Sequence, residues 1–241
     1  MEARTSVITK RLSGVHRIIA VASGKGGVGK SMVASTLALH LASQGKKVGL
    51  LDLDFYGPSC HVILGVHDAA PVEEKGLLPP MVHDIRFMSL VFFTQDKPAP
   101  LRGEDISNVI LEILAITQWG PLDYLIIDMP PGLGEETLDL IRYIKRLEFV
   151  IVTTPSQVSM SAVKKLLLLL QDLKAPVLGV IENMNMHPST MVQKEVKALK
   201  LPYRGSLSFD SQLENALGDA DQLVRTPFMN QLAGVSKKLS F

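Results

Sequence analysis

Cysteine is all but missing from this chain: Cys60 is the single one in 241 residues. One thiol excludes an intrachain disulfide and fits a reducing compartment. No charge of one sign dominates either. Lys and Arg total 25 and Asp and Glu 24, so composition gives no support for wholesale nucleic-acid or polybasic membrane binding. Long apolar runs are also lacking: the Leu166–Leu170 stretch falls far short of the roughly 20 residues that span a bilayer. The opening MEARTSVITKRLSGVHR has no apolar block of the signal-peptide kind, which leaves the cytoplasm as the expected location. Internal repeats and low-complexity segments are absent too. What remains is 46% hydrophobic and 20% charged, the balance of a soluble protein with a sizeable core, so global disorder is excluded.

Six short apolar runs punctuate the chain, over 17–23, 48–54, 85–93, 124–128, 149–154 and 177–183. Most are hydrophobic almost without interruption (RIIAVAS, YLIID, FVIVTT), the pattern of strands buried on both faces. Helix-length segments lie between them, over 30–43, 106–117, 136–146 and 159–173. Strand and helix in alternation predict a three-layer α/β/α domain around a mostly parallel sheet. Residues 66–84, with Pro71, Pro79 and Pro80, read as an irregular insertion at the sheet's edge. Pro227 opens an amphipathic closing segment, expected to pack on the domain rather than on a membrane. The whole of 1–241 reads as one domain, with 1–13 a flexible lead-in.

GKGGVGKS, Gly24 to Ser31, fits G-x-x-x-x-G-K-[ST] and sits between a strand and a helix, as that motif requires. The glycines Gly24, Gly26, Gly27 and Gly29 let consecutive amides, with that of Val28, converge on phosphate oxygens, and the helix beginning at Lys30 adds its positive end. In such a loop Lys30 reaches the β and γ phosphates and the Ser31 hydroxyl binds Mg²⁺. An accidental match in a chain of this length arises roughly once in a hundred. Lys25 is the unusual member, a second cation at an anion site Lys30 already serves. It is expected to reach a nucleotide held by a second subunit, as a trans-acting arginine finger does.

Two acidic elements follow. LLDLDFYGPS sets Asp52 and Asp54 at the carboxyl end of the next strand, where open α/β sheets bind ligands, and alternation puts both on one face. Two carboxylates so close require a cation or a water-handling task. Asp54 is expected to position or activate the attacking water, and Asp52 to hold the metal's water shell or Lys25. YLIIDMPPG ends an apolar strand in Asp128, the Walker B arrangement, with its carboxylate near Mg²⁺ directly or through water.

In this order and spacing, SGKGGVGKS, DLDFYGPS, WGPLDYLIIDMPPG and VIENM resemble the Mrp/ApbC family of deviant-Walker P-loop ATPases, relatives of MinD and ParA regarded as iron–sulfur cluster carriers. The resemblance spans about residues 14–235. It implies a MinD/Mrp-type P-loop fold, ATP and Mg²⁺ as ligands, and a nucleotide-dependent homodimer with Lys25 reaching across. It also implies adenine contact by Asn183, with the loop around Ser206–Asp210 closing over the base. Arg102 and Gly103 match the start of the family's RGPM element; Glu104 and Asp105 depart from it.

Other departures bear on function. After ENM the family carries a C-P-x-C pair that holds a bridging cluster, whereas this chain reads ENMNMHPSTMVQKEV. Soft thiolates are what such clusters need, so this chain alone is not expected to hold one. His187 reads as a surface residue and Cys60 as filling a small buried space. Leu133 and Glu135 also replace a hydroxyl and an aspartate of the family's PPGTGD. Met184, Met186 and Met191 crowd the region of the missing pair, as core packing or as an adaptable surface for a second subunit or client. Two functions compete. One is a slow ATPase of iron–sulfur assembly, with a protein client or cysteine-bearing partner. The other is a MinD/ParA-like positioning ATPase whose dimer binds protein, membrane or DNA, against which the near-neutral charge weighs.

Overall fold

The structure, a computed structural model, describes residues 3–55, 57–94, 104–187 and 189–239. The chain runs α1 (Ala3–Leu12), β1 (Val15–Ser23), α2 (Lys30–Ser43), β2 (Val48–Asp52), α3 (Cys60–Leu64), β3 (Val72–Glu73), β4 (Leu77–Leu78), β5 (Met81–Val82) and β6 (Ile85–Ser89). It continues through α4 (Val91–Thr94), α5 (Glu104–Ile116), β7 (Leu122–Asp128), α6 (Glu135–Tyr143), β8 (Leu147–Thr153), α7 (Gln157–Asp172) and β9 (Val177–Asn185). The last elements are α8 (Met191–Ala198), β10 (Tyr203–Ser208), α9 (Leu213–Ala216), α10 (Ala220–Leu223) and α11 (Pro227–Lys238).

Eight strands form one sheet in the order β10-β9-β8-β1-β7-β2-β6-β5, parallel except where β5 meets β6, and β3 with β4 makes a small ribbon of its own. β1 lies at the centre between β7 and β8. Its burial explains its composition, since Ile18, Ile19, Ala20 and Val21 are all fully enclosed. One face packs Ile18, Leu125, Phe149, Leu166 and Trp119 against α1, α5, α6 and α7. The other packs Ile19, Val33, Leu37, Phe87 and Leu232 against α2, α3 and α11. This is the expected three-layer α/β/α arrangement.

Several boundaries moved for physical reasons. The run over 48–54 stops as a strand at Asp52, and that over 85–93 breaks at Ser89 into α4, because Ser89 Oγ accepts the Val91 amide and turns the chain. β10 carries Gly205 and polar residues and has no apolar alternation to announce it. The closing helix forms as expected, with Thr226 capping the Met229 amide and Pro227 in its first turn.

The expected flexible lead-in over 1–13 is corrected: Ala3–Leu12 is helix α1. Ile8 and Leu12 are buried in the core against α5 and α6, and Arg11 donates to the Ala115 and Lys75 carbonyls. Its few apolar residues, spaced i and i+4, are enough to seal the bottom of that layer. Ile8→Ala should therefore lower unfolding stability by about 2–4 kcal/mol in a urea titration. A loose lead-in would lose less than about 0.5 kcal/mol.

Candidate functional site

Parallel register assembles the site. β2 pairs β7 with Asp52 opposite Asp128, and β1 pairs β7 with Val21 opposite Asp128. The phosphate loop leaves β1 at Ser23, two positions further on, so loop and both carboxylates emerge at the same carboxyl edge of the sheet. Adjacent strand positions are only about 4.8 Å apart, which forces the two carboxylates together.

The loop itself is held from below and behind. Ser23 Oγ donates to the Lys25 carbonyl (2.9 Å), and the Gly132 amide donates to the Ser23 carbonyl (2.9 Å), tying the loop to the Pro-Pro-Gly turn after β7. Gly27 and Gly29 have φ of 75° and 77°, left-handed conformations that turn successive amides inward. Gly29 is also crowded, because a Cβ there would lie 2.3 Å from Asn183 Nδ2. α2 begins directly after it at Lys30, so its free amides face the loop's concavity. Lys25, Gly26, Val28, Lys30, Ser31 and Asp54 line one cavity of about 380 Å³, beside Gly57, Pro131 and Met184. A larger cavity of about 610 Å³, at Val62, Val66 and Phe92, offers no comparable convergence of phosphate-loop amides.

Lys30 is 6% exposed, and its ammonium donates to Asp128 Oδ1 at 2.6 Å and to Ser31 Oγ at 3.2 Å, with Asp54 Oδ2 at 3.7 Å. Burial alone would pull its pKa down, but Asp128 and then Asp54 outweigh that and raise it, so the cation is retained. Asp128 is wholly buried, and burial pushes its carboxyl up against the opposing pull of Lys30. Asp52 is pushed up to about 7 by burial and then by Asp128, with the Asp54 and Cys60 amides holding it back.

Asp52 and Asp54, expected to share a strand face, have unequal places. Asp52 is fully enclosed, its Oδ1 and Oδ2 accepting from the Asp54 and Cys60 amides (3.0 and 3.2 Å). Asp54 lies beyond the strand, accepts the Gly57 amide at 3.1 Å and faces the cavity with Ser31. The donor set there is hydroxyl and carboxylate oxygen, the chemistry that suits Mg²⁺. Ser31 would hold the ion directly and Asp128 would support its shell, with Asp52 braced beneath.

Cys60 fills a buried space as expected, yet it has a further part that the sequence did not announce. Its thiol donates to Asp128 Oδ2 at 3.4 Å while its amide serves Asp52, so one residue braces both carboxylates. Burial, followed by Asp52 and Asp128, pushes the thiol's pKa well up, and it stays protonated as a donor. Asp52, Cys60 and Asp128 offer ligand atoms within 4.8 Å of one another, but Lys30 already supplies the cation there.

Asn183 lies at the loop's far end, where its Nδ2 donates to the Val28 carbonyl at 2.9 Å. Gly29, Met32 and Met184 connect the phosphate cavity to a second cavity of about 270 Å³. Its other walls include Ser208, Phe209, Asp210 and Phe228. The three methionines divide: Met184 lines both cavities, Met186 is 71% exposed, and Met191 packs against the core. His187 is exposed, Leu133 is 45% exposed, and Arg102 and Gly103 lie outside the described residues. Gly29→Ala should distort the loop and displace Asn183 together. At roughly 1–2 kcal/mol for the left-handed backbone alone, calorimetry should read about tenfold or more weaker ATP binding.

Comparison with known proteins agrees with this geometry. The chain is 44% identical over 179 residues to the iron-sulfur cluster carrier protein of Salmonella typhimurium, covering 73% of this chain and 48% of that protein. It is 41% identical over 179 residues to the protein of the same description from Aquifex aeolicus, with 73% and 49% covered. The chain thus spans about half the length of these curated relatives. A nucleotide-binding protein of Archaeoglobus fulgidus, solved in complex with ADP, superposes with a TM-score of 0.80 at 32% identity, covering 94% of this chain and 96% of that one. MinD of Pyrococcus furiosus superposes at 0.69 with 18% identity over 93% and 98%, a likeness of fold alone. Residues 14–226 match the family described as ParA: NUBPL iron-transfer P-loop NTPase, and the chain belongs to that family.

Proposed function

We propose that this chain is a magnesium-dependent ATPase that works as a single P-loop domain in a nucleotide-dependent homodimer, in cytoplasmic iron–sulfur cluster assembly. The observation that carries the reading is the buried Lys30–Asp128 pair, whose lysine lines a glycine-rich cavity that runs on into a base-sized one. A buried ammonium held by carboxylates can exchange them for phosphate oxygens without losing compensation. Loop amides and the α2 N-terminus would hold the β and γ phosphates, and Asn183 Oδ1 the adenine amino group. Bound magnesium would supply neutralisation of phosphate charge, held by Ser31 with Asp128 behind.

For hydrolysis, Asp54 is the carboxylate that faces the cavity, suited to orient the attacking water. Lys25 would bring a further cation to the transferring phosphoryl group of the opposite subunit, and fixed charge of this kind is what phosphoryl transfer chiefly needs. Lys30→Ala should abolish tight ATP binding in calorimetry. Lys25→Ala should keep ATP affinity within a few fold, yet lose about 10³-fold or more in turnover. Normal turnover in Lys25→Ala would refute the cross-dimer role. Asp54→Asn should accumulate an ATP-bound dimer, seen as doubled mass in light scattering after gel filtration with ATP and magnesium.

The relatives' names concern iron–sulfur clusters, which here would be cargo. Cys60, the sequence's one thiol, is fully enclosed and committed to Asp128, so the exposed thiolates a cluster needs must come from a partner. Anaerobic reconstitution of this chain with iron and sulfide should leave less than about a tenth of a cluster per dimer after desalting, because no accessible thiolate retains it. Stoichiometric transferable cluster would overturn that part.

A further inference from the structure

β9 sends successive side chains to opposite faces of the sheet. Asn183 reaches the phosphate loop; its neighbour Glu182 points the other way and is fully buried. No step proposed above uses this carboxylate. Its Oε2 accepts the Tyr203 hydroxyl at 2.8 Å, and its Oε1 accepts Asn185 Nδ2 at 3.2 Å. Asn185 passes the constraint on, its Oδ1 accepting the His187 amide (3.1 Å) and its carbonyl the Phe209 amide (3.0 Å). Phe209 and the adjoining Ser208 and Asp210 are walls of the base-sized cavity.

Two irregularities lie where this network sits, beside the anchors that α11 provides, Gln231 accepting the Ser208 amide and the Phe228 amide donating to Asp210. The β9–β10 ladder slips register between Tyr203 and Gly205 and again between Ser206 and Ser208, so backbone pairing alone does not fix the end of β10. Met184, between Asn183 and Asn185, has φ of 56°, a left-handed conformation that is strained for a non-glycine residue and persists only where its surroundings enforce it. That turn is what brings the Met184 side chain to both cavities. Glu182 bonds to the residue after the turn and to the strand opposite it, two further anchors for the irregular stretch. Burial pushes the Glu182 carboxyl up while Tyr203 holds it back.

We propose that Glu182 is a positioning residue for nucleotide recognition, fixing through Asn185 and Tyr203 the crest of β9 and β10 that grips the purine base. The inference rests on the nucleotide reading above. It assigns Glu182 to the base end of the site and not to the phosphate end, which separates it from a residue that merely stabilises the fold.

Calorimetry on the full chain with two probes tests it: MgATP, which fills both cavities, and magnesium tripolyphosphate, which fills only the phosphate one. Glu182→Ala should weaken MgATP about tenfold and tripolyphosphate by less than about twofold, and Glu182→Gln, which can still bond both partners, should return ATP affinity to within about threefold of wild type. Unchanged ATP affinity in Glu182→Ala, or equal loss of both ligands, overturns the proposal. Should Glu182→Ala not fold, Tyr203→Phe and Asn185→Ala each delete one of the two bonds. Each is expected to weaken ATP about threefold while sparing tripolyphosphate, and ATP binding at wild-type strength in both overturns it equally. Wild-type protein that binds tripolyphosphate but not ATP would sink the base assignment. Wild type that binds neither would sink the nucleotide reading and this inference with it.

Discussion

A buried ammonium governs the upper edge of this sheet. Taking Lys30 out of water would be prohibitive without compensation, and Asp128 Oδ1 at 2.6 Å is that compensation. The pair is sustained from both sides. Asp128 gains a thiol donor on its other oxygen, and Asp54 adds a second carboxylate near the ammonium. Removing the cation would leave Asp52 and Asp128 side by side in strand register with no ammonium to offset them, a like-charge pair that burial already forces toward protonation. The arrangement is therefore poised: it is satisfied as it stands, and it gains when the ammonium meets a stronger anion.

That requirement reaches into the fold. For Lys30 to sit over the sheet edge, α2 must start beside β1, so the connecting loop has to turn within a few residues and stay close to its neighbours. Gly24 passes so near α7 that a Cβ would lie 2.5 Å from its backbone, and Gly29 passes just as near Asn183. Parallel strands with buried apolar sides supply a rigid edge for this turn. Ile18, Ile19, Ile126 and Ile127 have no exposure at all, and a sheet so enclosed has little freedom to relax around a misplaced charge.

These same demands decide what could be read from sequence. Lys30–Ser43 was legible to the residue because the motif fixes where the helix starts and the polar SQGKK marks its end. β1, β7 and β8 were legible because double-sided burial leaves near-continuous apolar runs. The phosphate loop, Asp128 and Asn183 came together as expected, since spacing along strands is nearly a distance in space. α1 escaped notice because a few apolar residues among charged and polar ones look like a solvated tail until the partners of Ile8 and Leu12 on α5 and α6 are known. β10 escaped because its order comes from Tyr203 and Glu182, distant in sequence, and not from its own pattern. The unequal placing of Asp52 and Asp54 depends on where β2 stops, and strand ends are set by tertiary contacts such as the Cys60 amide.

Cys60 illustrates how one residue type changes meaning with its surroundings. A thiol near an exposed edge, with a neighbouring cation to lower its pKa, becomes a thiolate that can ligate soft metal. Here the site is sealed and Asp52 and Asp128 lie close by, so burial and these carboxylates outweigh Ser35 and Lys30 and favour the neutral thiol. The sulfur that invites cluster chemistry in the sequence is thus a hydrogen-bond donor to the Asp128 carboxylate. Meanwhile the exposed crest after β9 bears Met186 and His187 and no thiol. On the proposed reading the two tasks are therefore separable in this chain: nucleotide handling would belong to its buried edge, and the soft ligands for any cluster would come from a partner.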